Sequence, residues 1–508
     1  MTVNIFQPQI SVTLRKNIGR ATVAGSIAAS ERFTGAAREI DLTPYLGEFG
    51  GVVTSKSIRE AAGSFSITLA DQMTPREQES LYGLIEPMDV VEIRFARDPA
   101  RYHGSLDAGM PMVMRGFVTE PRRTTAMTER GPQRAVTILG HDYGKILQMM
   151  QIAYLPNYVL GQNLLTYFKF FMNYNGAKGQ LNFKDASVFV AEIVSEIINP
   201  FIADMRRTAT GNGVAQGISP VMDLGVDASV QKGVVSPYGT NTWPGGTIYD
   251  MLTYFGDVGP WNELFIDDRE DGPYLVYRPV PFKDVSGNYI QEPYISDVSR
   301  RPATGLMTDD EVVEEGVGRS DAGVYNYYWV DAPNYQLVDG RIYQSALARS
   351  NDFFLKDYPN SSPFLYGLRK LEVHTQQGAR FDGAPEAEYR RQAALGYAFA
   401  SDRRQTLIDN NKDNVVFEDG NVAFRGDESI KPGMFVTRVK GAEAASIGSQ
   451  AMISEFYAVR VTHRFLPFRN FTTAVDFERG TGFINRIQRA SSAASPYLSE
   501  MNVRGAYG

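Results

Sequence analysis

The sequence predicts a mainly β protein with inserted α+β segments: two related β domains and a middle mixed domain. Three observations carry this prediction. Short apolar–polar alternations recur in the first and last thirds of the chain. Helical spacing of apolar residues is concentrated in the middle. One strand-opening pattern, I-x-P-x-x-x-V, occurs twice, at Ile85–Val91 and at Ile430–Val436.

The chain has 508 residues, and at roughly 150 residues per domain about three units are expected. Their bounds are 1–150 for the first β domain, 151–305 for the middle α+β domain with long loops, and 306–485 for the second β domain with an inserted helix. Residues 486–508, rich in Ser and Ala from Ala490, are expected to be an extended tail.

In the first third, Gly51–Thr54 and Ser64–Leu69 alternate, with Phe65, Ile67 and Leu69 on one face and Ser64, Ser66 and Thr68 on the other. Val90–Phe95, Met112–Thr119 and Ala135–Leu139 complete a set of short strands, and His141–Met150 reads as a helix leaving the sheet. In the middle, Phe189, Val190, Ile193, Val194, Ile197 and Ile198 recur at helical spacing opposite Glu192 and Glu196, with Pro200 expected to end or kink the helix. Residues 207–246 read as long loops. Thr247 with Asp250 resembles a capping box for a helix with Ile248, Met251, Leu252 and Phe255 as its stripe and Gly256 at its end. A hairpin follows, Glu263–Ile266 and Tyr274–Tyr277, around a polar turn at Asp267–Pro273. In the last third, Gly323–Val330, Phe435–Val439, Phe456–Val461 and Phe471–Phe477 read as strands, and Pro385–Asp409 as a helix with Pro385 near its first turn.

The repeated pattern is followed in both halves by similar segments in the same order. Gly116–Thr119 has its counterpart in Tyr457–Val461, and Ala135–Ile138 in Ala474–Phe477. Each match is weak, since strands are all Val-rich, but the order argues for a duplicated unit.

Composition excludes several classes of function. There is no cysteine, so disulfides, thiolate zinc sites and a cysteine nucleophile are excluded. The net charge of -7 is a poor match for tight nucleic-acid binding, although it suits a channel through which DNA passes without sticking. Residues 1–20 lack an apolar signal-peptide core. No apolar run reaches the ~18 residues of a membrane span, so no membrane insertion is expected.

Catalytic, cofactor and metal sites are all expected to be absent. The four histidines, His103, His141, His374 and His463, stand in no metal-ligand spacing. His463 reads as a strand residue bonded to a neighbour, and His141 as part of a strand-to-helix turn. Gly211, Gly213 and Gly217 have the wrong spacing for a dinucleotide loop and read as a loop. Two acidic runs, Asp267–Asp271 and Asp309–Glu315, hold enough carboxylates for a glycosidase pair but read as solvated surface, the first in a hairpin turn. The pairs Arg122–Arg123, Arg206–Arg207 and Arg403–Arg404 read as solvated faces, with intersubunit salt bridges as the alternative.

Several of these segments resemble the baseplate hub proteins of contractile-tailed phages and related injection systems. Ala61–Leu69 is similar to that family's A-G-S-F-S strand, Met114–Val118 to its G-hydrophobic-V strand, and Thr137–Asp142 to its exit into a helix. Trp261–Leu264 with Tyr277–Pro279 resembles its W-x-E-L and Y-R-x-P hairpin, and Val461–Phe465 with Phe471–Thr473 its closing strand pair. The resemblance spans roughly residues 40–480, with no match in 150–250 or after about 485. It implies that the β domains are tube-like β-barrels. Three chains would place six of them in a ring carrying the sixfold symmetry of a tail tube on one side and a threefold spike on the other. The partners it implies are the chain itself as a homotrimer, a tail tube protein, a central spike, surrounding baseplate proteins, and DNA passing through the lumen. The location it implies is the virion tail baseplate, after synthesis in the host cytoplasm. Strand regions 50–70, 85–95, 430–440 and 455–478 would form the ring. Two other readings stay open: a tail-associated cell-wall hydrolase, and a receptor- or glycan-binding tail protein, for which the 27 Tyr and 29 Phe are the only support.

Overall fold

The structure is a computed structural model. It describes residues 7–17, 39–47, 50–71, 81–102, 106, 109–128, 131–152, 184–210, 219–230, 232–235, 246–331, 358–379, 389–440 and 452–492.

The chain is mainly β, built on one 13-stranded sheet. The first half contributes β1 (Gln9–Arg15), β2 (Glu39–Asp41), β3 (Gly51–Ser57), β4 (Ser64–Ala70), β5 (Val90–Ala96), β6 (Met112–Thr128) and β7 (Gly131–Asp142). Two-residue ladders punctuate the middle region: β8 (Gln151–Ile152) with β12 (Gly246–Thr247), and β11 (Val234–Val235) with β9 (Lys184–Asp185) and β19 (Gln377–Gly378). The middle region also has a three-stranded sheet, in which β10 (Gly225–Ala228) runs parallel to β14 (Gly272–Pro279), and β14 forms a hairpin with β13 (Asn262–Arg269). A small parallel pair joins β17 (Tyr327–Asp331) to β18 (Lys370–His374). The second half of the large sheet holds β15 (Thr304–Thr308), β16 (Val312–Gly318), β20 (Glu418–Arg425), β21 (Phe435–Val439), β22 (Met452–Leu466) and β23 (Asn470–Gly480).

The two halves have the same strand order. In the first, β5, β6, β7, β4 and β3 are successive antiparallel neighbours. In the second, β21, β22, β23, β20 and β16 are. The likeness extends to single residues. Val90 opposes Phe117 where Phe435 opposes Tyr457. The Pro of each I-x-P-x-x-x-V pattern is followed by a residue in the left-handed region, Met88 at φ 75° and Gly433 at φ 81°. The N–H of each donates to the matching carbonyl of the neighbouring strand, Met88 to Val118 at 2.8 Å and Gly433 to Ala458 at 2.8 Å. Each long strand then carries a bulge at the matching place, between Val118 and Glu120 and between Ala458 and Arg460. The halves differ at the outer neighbour: β1 is antiparallel to β5, whereas β15 is parallel to β21.

One detail of the sequence alignment changes. The ladders place Ile138 opposite Ile67 and Val475 opposite Val422, so Ile138 corresponds to Val475 and not to Phe477. A two-residue slip keeps every side chain on its face, so alternation alone cannot detect it.

The strands extend beyond their expected ends, most of all β6 and β7. The helix expected from His141 begins at Gly144, because His141 and Asp142 still belong to β7. Pro200 does not end its helix. Ala186–Ile193 continues through a π-helical turn, Val194–Ile198, into Asn199–Thr210. The wider turn sits just before the proline, where a ring clash and a missing N–H would otherwise break the i−4 pattern. The resulting run, Ala186–Arg207, is long and apolar enough to cross a membrane by length and composition alone. Its apolar face is buried inside the molecule, with Phe189, Val190, Ile193, Ile197 and Ile202 in one core with Leu264, Ile266 and Tyr277 of the β13–β14 hairpin. The helix Ile248–Phe255 has the expected capping box and stops at Gly256.

The expected loop region 207–246 contains β10 and β11, and its residues 211–218, 231 and 236–245 lie outside the described residues. The helix expected at Pro385–Asp409 is seen at Tyr389–Asn411, and Pro385 lies outside the described residues. A helix, Gly482–Ser492, runs across the start of the expected tail, of which 493–508 lie outside the described residues.

Candidate functional site

The candidate site is the joint between the two halves of the sheet. There β3 pairs antiparallel with the outer part of β22, Ser57 opposite Arg460 through to Val52 opposite Phe465. The joint is sealed by aromatic side chains that the second half lends to the first. Phe465 and Phe471, from the second half, complete the core of the first beside Val52 and Phe95. The Phe95 ring stacks on Phe465 at 5.9 Å between centroids and meets Phe471 at 5.4 Å. Burial of such rings adds to the ladder a hydrophobic contribution of about 2 kcal/mol per side chain.

Behind the joint lies a buried charge cluster. Lys56 of β3 holds Asp268 of β13 at 2.7 Å and Asp142 of β7 at 3.3 Å. Asp268 also accepts the Arg115 N–H at 3.1 Å, and Asp142 accepts that of Gly144 at 2.9 Å. Burial favours the neutral amine of Lys56, but the charges of Asp268 and Asp142 outweigh it and hold the lysine above its ordinary value. Asp142 is pushed up to about 6 by burial, with Lys56 opposing and the Asp268 charge adding.

A second box ties the middle hairpin to the second half. Arg278 of β14 pairs with Glu263 of β13 at 3.1 Å and donates to the Gly433 carbonyl at 2.6 Å. The Tyr457 hydroxyl donates to Glu263 at 2.6 Å. Burial raises the Glu263 pKa, with Arg278 opposing. Lys431 reaches Asp267 at 3.1 Å. The β13–β14 hairpin thus clamps the joint from one side, with one bonded set to each half.

The arrangement ties strands of both halves to the middle hairpin. The cavity at the joint, lined by Thr54, Lys56, Asp268, Glu428 and His463 among others, measures about 20 Å³. That is room for roughly one water molecule. A polar groove of about 180 Å³ lies farther off, between the middle region and the helix Tyr389–Asn411, beside Lys232, Glu292, Arg403 and Asp409. Among the described residues no group of three or more His, Asp or Glu is placed to hold a metal ion.

The expected residues fall as follows. His463 is a buried strand residue with Nδ1 2.9 Å from the Thr473 hydroxyl, and burial pushes its pKa down to about 4. His141 ends β7 with Nδ1 3.3 Å from the Gly63 carbonyl, and His374 ends β18 beside Asp331 at 3.1 Å. His103 and Gly211, Gly213 and Gly217 lie outside the described residues. The Asp267–Asp271 run is not a solvated turn. The turn is only Glu270–Asp271, and Asp267 and Asp268 are strand residues, with Asp268 buried at 2% exposure. Gly272 closes that turn as its last residue, a position that glycine favours. In the second acidic run, Asp309 and Glu315 flank Arg438. Arg122 pairs with exposed Glu120, and Arg206 and Arg207 with Asp223 and Asp204. Arg403 and Arg404 are buried, contrary to a solvated face: Arg403 bonds Gln377 at 2.6 Å and lies over the Trp261 ring. Asp142, Glu263 and Arg278 lie in segments that carry the resemblance, but no charge partner is legible for them, and Lys56 stands in no motif.

No family model matches the chain, and no curated protein matches it. Among solved structures it is similar to a tail protein from Neisseria meningitidis, with TM-score 0.41 and 12% identity over 94% of this chain and 99% of the other. It is also similar to a 43 kDa tail protein of a prophage of Shewanella oneidensis, with TM-score 0.41 and 9% identity over 93% and 98%. A component of the E. coli type VI secretion system gives TM-score 0.33 and 9% identity over 84% and 72%.

Proposed function

We propose that the chain is a structural, non-enzymatic hub of a tail baseplate. In this reading three copies form a ring, and each contributes two tube-like β domains, in residues 1–150 and 306–485, with 151–305 as the clamp between them. The ring joins a tail tube to a central spike within the surrounding baseplate, and DNA passes through its lumen. The observation that carries the reading is the repeat of strand order, left-handed turn and bulge in one continuous sheet. A threefold assembly can imitate sixfold symmetry only if each chain offers the same unit twice, and a duplicated unit does that with one gene product. The net charge of -7 agrees with a lumen that does not retain DNA.

The test is the mass of the assembly by light scattering, with the chain alone and mixed with its candidate spike, followed by electron microscopy of the mixture. The expected outcome is a threefold particle with six similar lobes. A chain that stays monomeric in the mixture would overturn the reading.

A further inference from the structure

We infer that β16 of one chain pairs antiparallel with the outer half of β6, Glu120–Thr125, of a second copy, repeating between chains the joint that β3 and β22 make within one. The inference rests on the self-association proposed above and adds to it the strands, their direction and their register.

The internal correspondence leads to it directly. The ladders equate β3 with β16, since β3 flanks β4 as β16 flanks β20. They equate β22 with β6, bulge for bulge. Within the chain, the outer edge of β3 is paired with the outer half of β22. Among the described residues the two equivalent edges, that of β16 and that of Glu120–Thr125, have no strand beside them. Both are also exposed: all of β16 beyond Val312, and Glu120 and Arg122–Thr125 of β6, face solvent. A bare edge of this kind is a template for another chain.

Transferring the internal register gives the external one. Ser55 opposite Thr462 becomes Gly318 opposite Arg122, and Thr54 opposite His463 becomes Val317 opposite Arg123. Glu315 then opposes Thr125 and lies diagonal to Arg123, within reach of an ion pair. Arg122 is paired with Glu120 and Glu315 with Arg438 in the chain, so this register adds one diagonal contact, that of Arg123 with Glu315. The joint is head-to-tail, with different strands on its two sides, and such a contact closes into a ring when the rotation allows. Pro121 falls where Val461 lies in the internal joint, so the external ladder has one N–H fewer.

The chain has no cysteine, which makes the test clean. In the internal joint the Ser55 and Thr462 hydroxyls lie 3.1 Å apart. Cysteines at the equivalent pair, Arg122→Cys and Gly318→Cys, should therefore meet within disulfide range. A Cβ at Gly318 meets nothing within 4 Å, so that variant should fold. Under mild oxidation, a mixture of the two single variants should give mixed dimers. Neither single variant should link to itself. The double variant should give closed covalent rings, about tenfold more abundantly than the out-of-register pair Gly318→Cys with Thr125→Cys. Light scattering on the same unoxidised samples separates the two claims. Oligomers without the disulfide would overturn this edge pairing and leave the hub reading standing. Absence of both oligomer and disulfide, with the candidate spike added as well, would overturn the two together.

Discussion

The turns that open β5 and β21 have the same backbone and different surroundings. At the first, Asp89 is buried and takes the Lys16 ammonium and the Asn17 N–H, so the end of β1 covers the turn. At the second, Met434 stands in that place, and Arg278 from the middle hairpin covers the turn by donating to the Gly433 carbonyl. The backbone ladder is common to both halves, while each turn is closed by whichever segment the chain has nearby. Duplication fixes hydrogen-bond geometry and leaves side chains free to specialise, because a ladder constrains main-chain groups alone.

The sharpest way to break this comparison is to empty the clamp. Lys56→Met should leave Asp142 and Asp268 buried without their cation and cost about 3–5 kcal/mol in urea unfolding. Lys431→Met, at the hairpin's contact with the second half and more exposed, should cost under ~1 kcal/mol. Equal losses would mean that the hairpin clamps both halves alike.

Next in size are the turns themselves. A Cβ on Gly433 would sit 2.6 Å from Arg278 Nη2, at a φ that L residues rarely adopt. Gly433→Ala should therefore destabilise by about 2 kcal/mol. At Met88, where a side chain is already accommodated, Met88→Ala should cost about 1 kcal/mol or less.

The two halves also titrate in opposite senses. Asp142 has its folded pKa raised, so the native state holds an extra proton, and its contribution to stability is lost as pH rises from about 4 to about 6. His463 has its folded pKa depressed, so its contribution is present above about 6.5 and lost as pH falls toward about 4. The two slopes oppose each other in the wild-type chain. Asp142→Asn should uncover a stability that rises with pH through this window, and His463→Gln one that falls. Each slope should reach about 1.4 kcal/mol per pH unit at most, read from denaturation midpoints between pH 4 and 7. Parallel slopes in the two variants would refute the assignment.

The smallest effect is expected at the rim. The exposed pair Arg460–Glu60 lies just past the end of the internal joint. Glu60→Gln should change chain stability by less than ~0.5 kcal/mol.

Much of the fold was legible because period-two alternation names strands wherever one face is buried, as in Ser64–Ala70. Segment order revealed the repeat, while the two-residue slip at Val475 was invisible because it preserves every face. The joint itself was illegible. Lys56, Asp142 and Asp268 come from three distant segments, and nothing local marks a charge that will be buried. The acidic run at Asp267 misled because Asp is ordinarily a turn residue. The strand β16 was hidden for another reason: it is exposed on both faces, so Glu314 and Glu315 read only as solvated surface and no buried face marks the alternation.

The two bulges have a geometric consequence. An extra residue on one side of a ladder bends the strand and deepens its local twist. Thr119 and Val459 insert that bend at matching points of the two long strands. A flat ribbon of many strands has no intrinsic radius, whereas one bent by the same amount at regular intervals does. Part of the bend in each half is therefore encoded in one unpaired residue, and deleting it should reduce the bend of that half and leave the other unchanged.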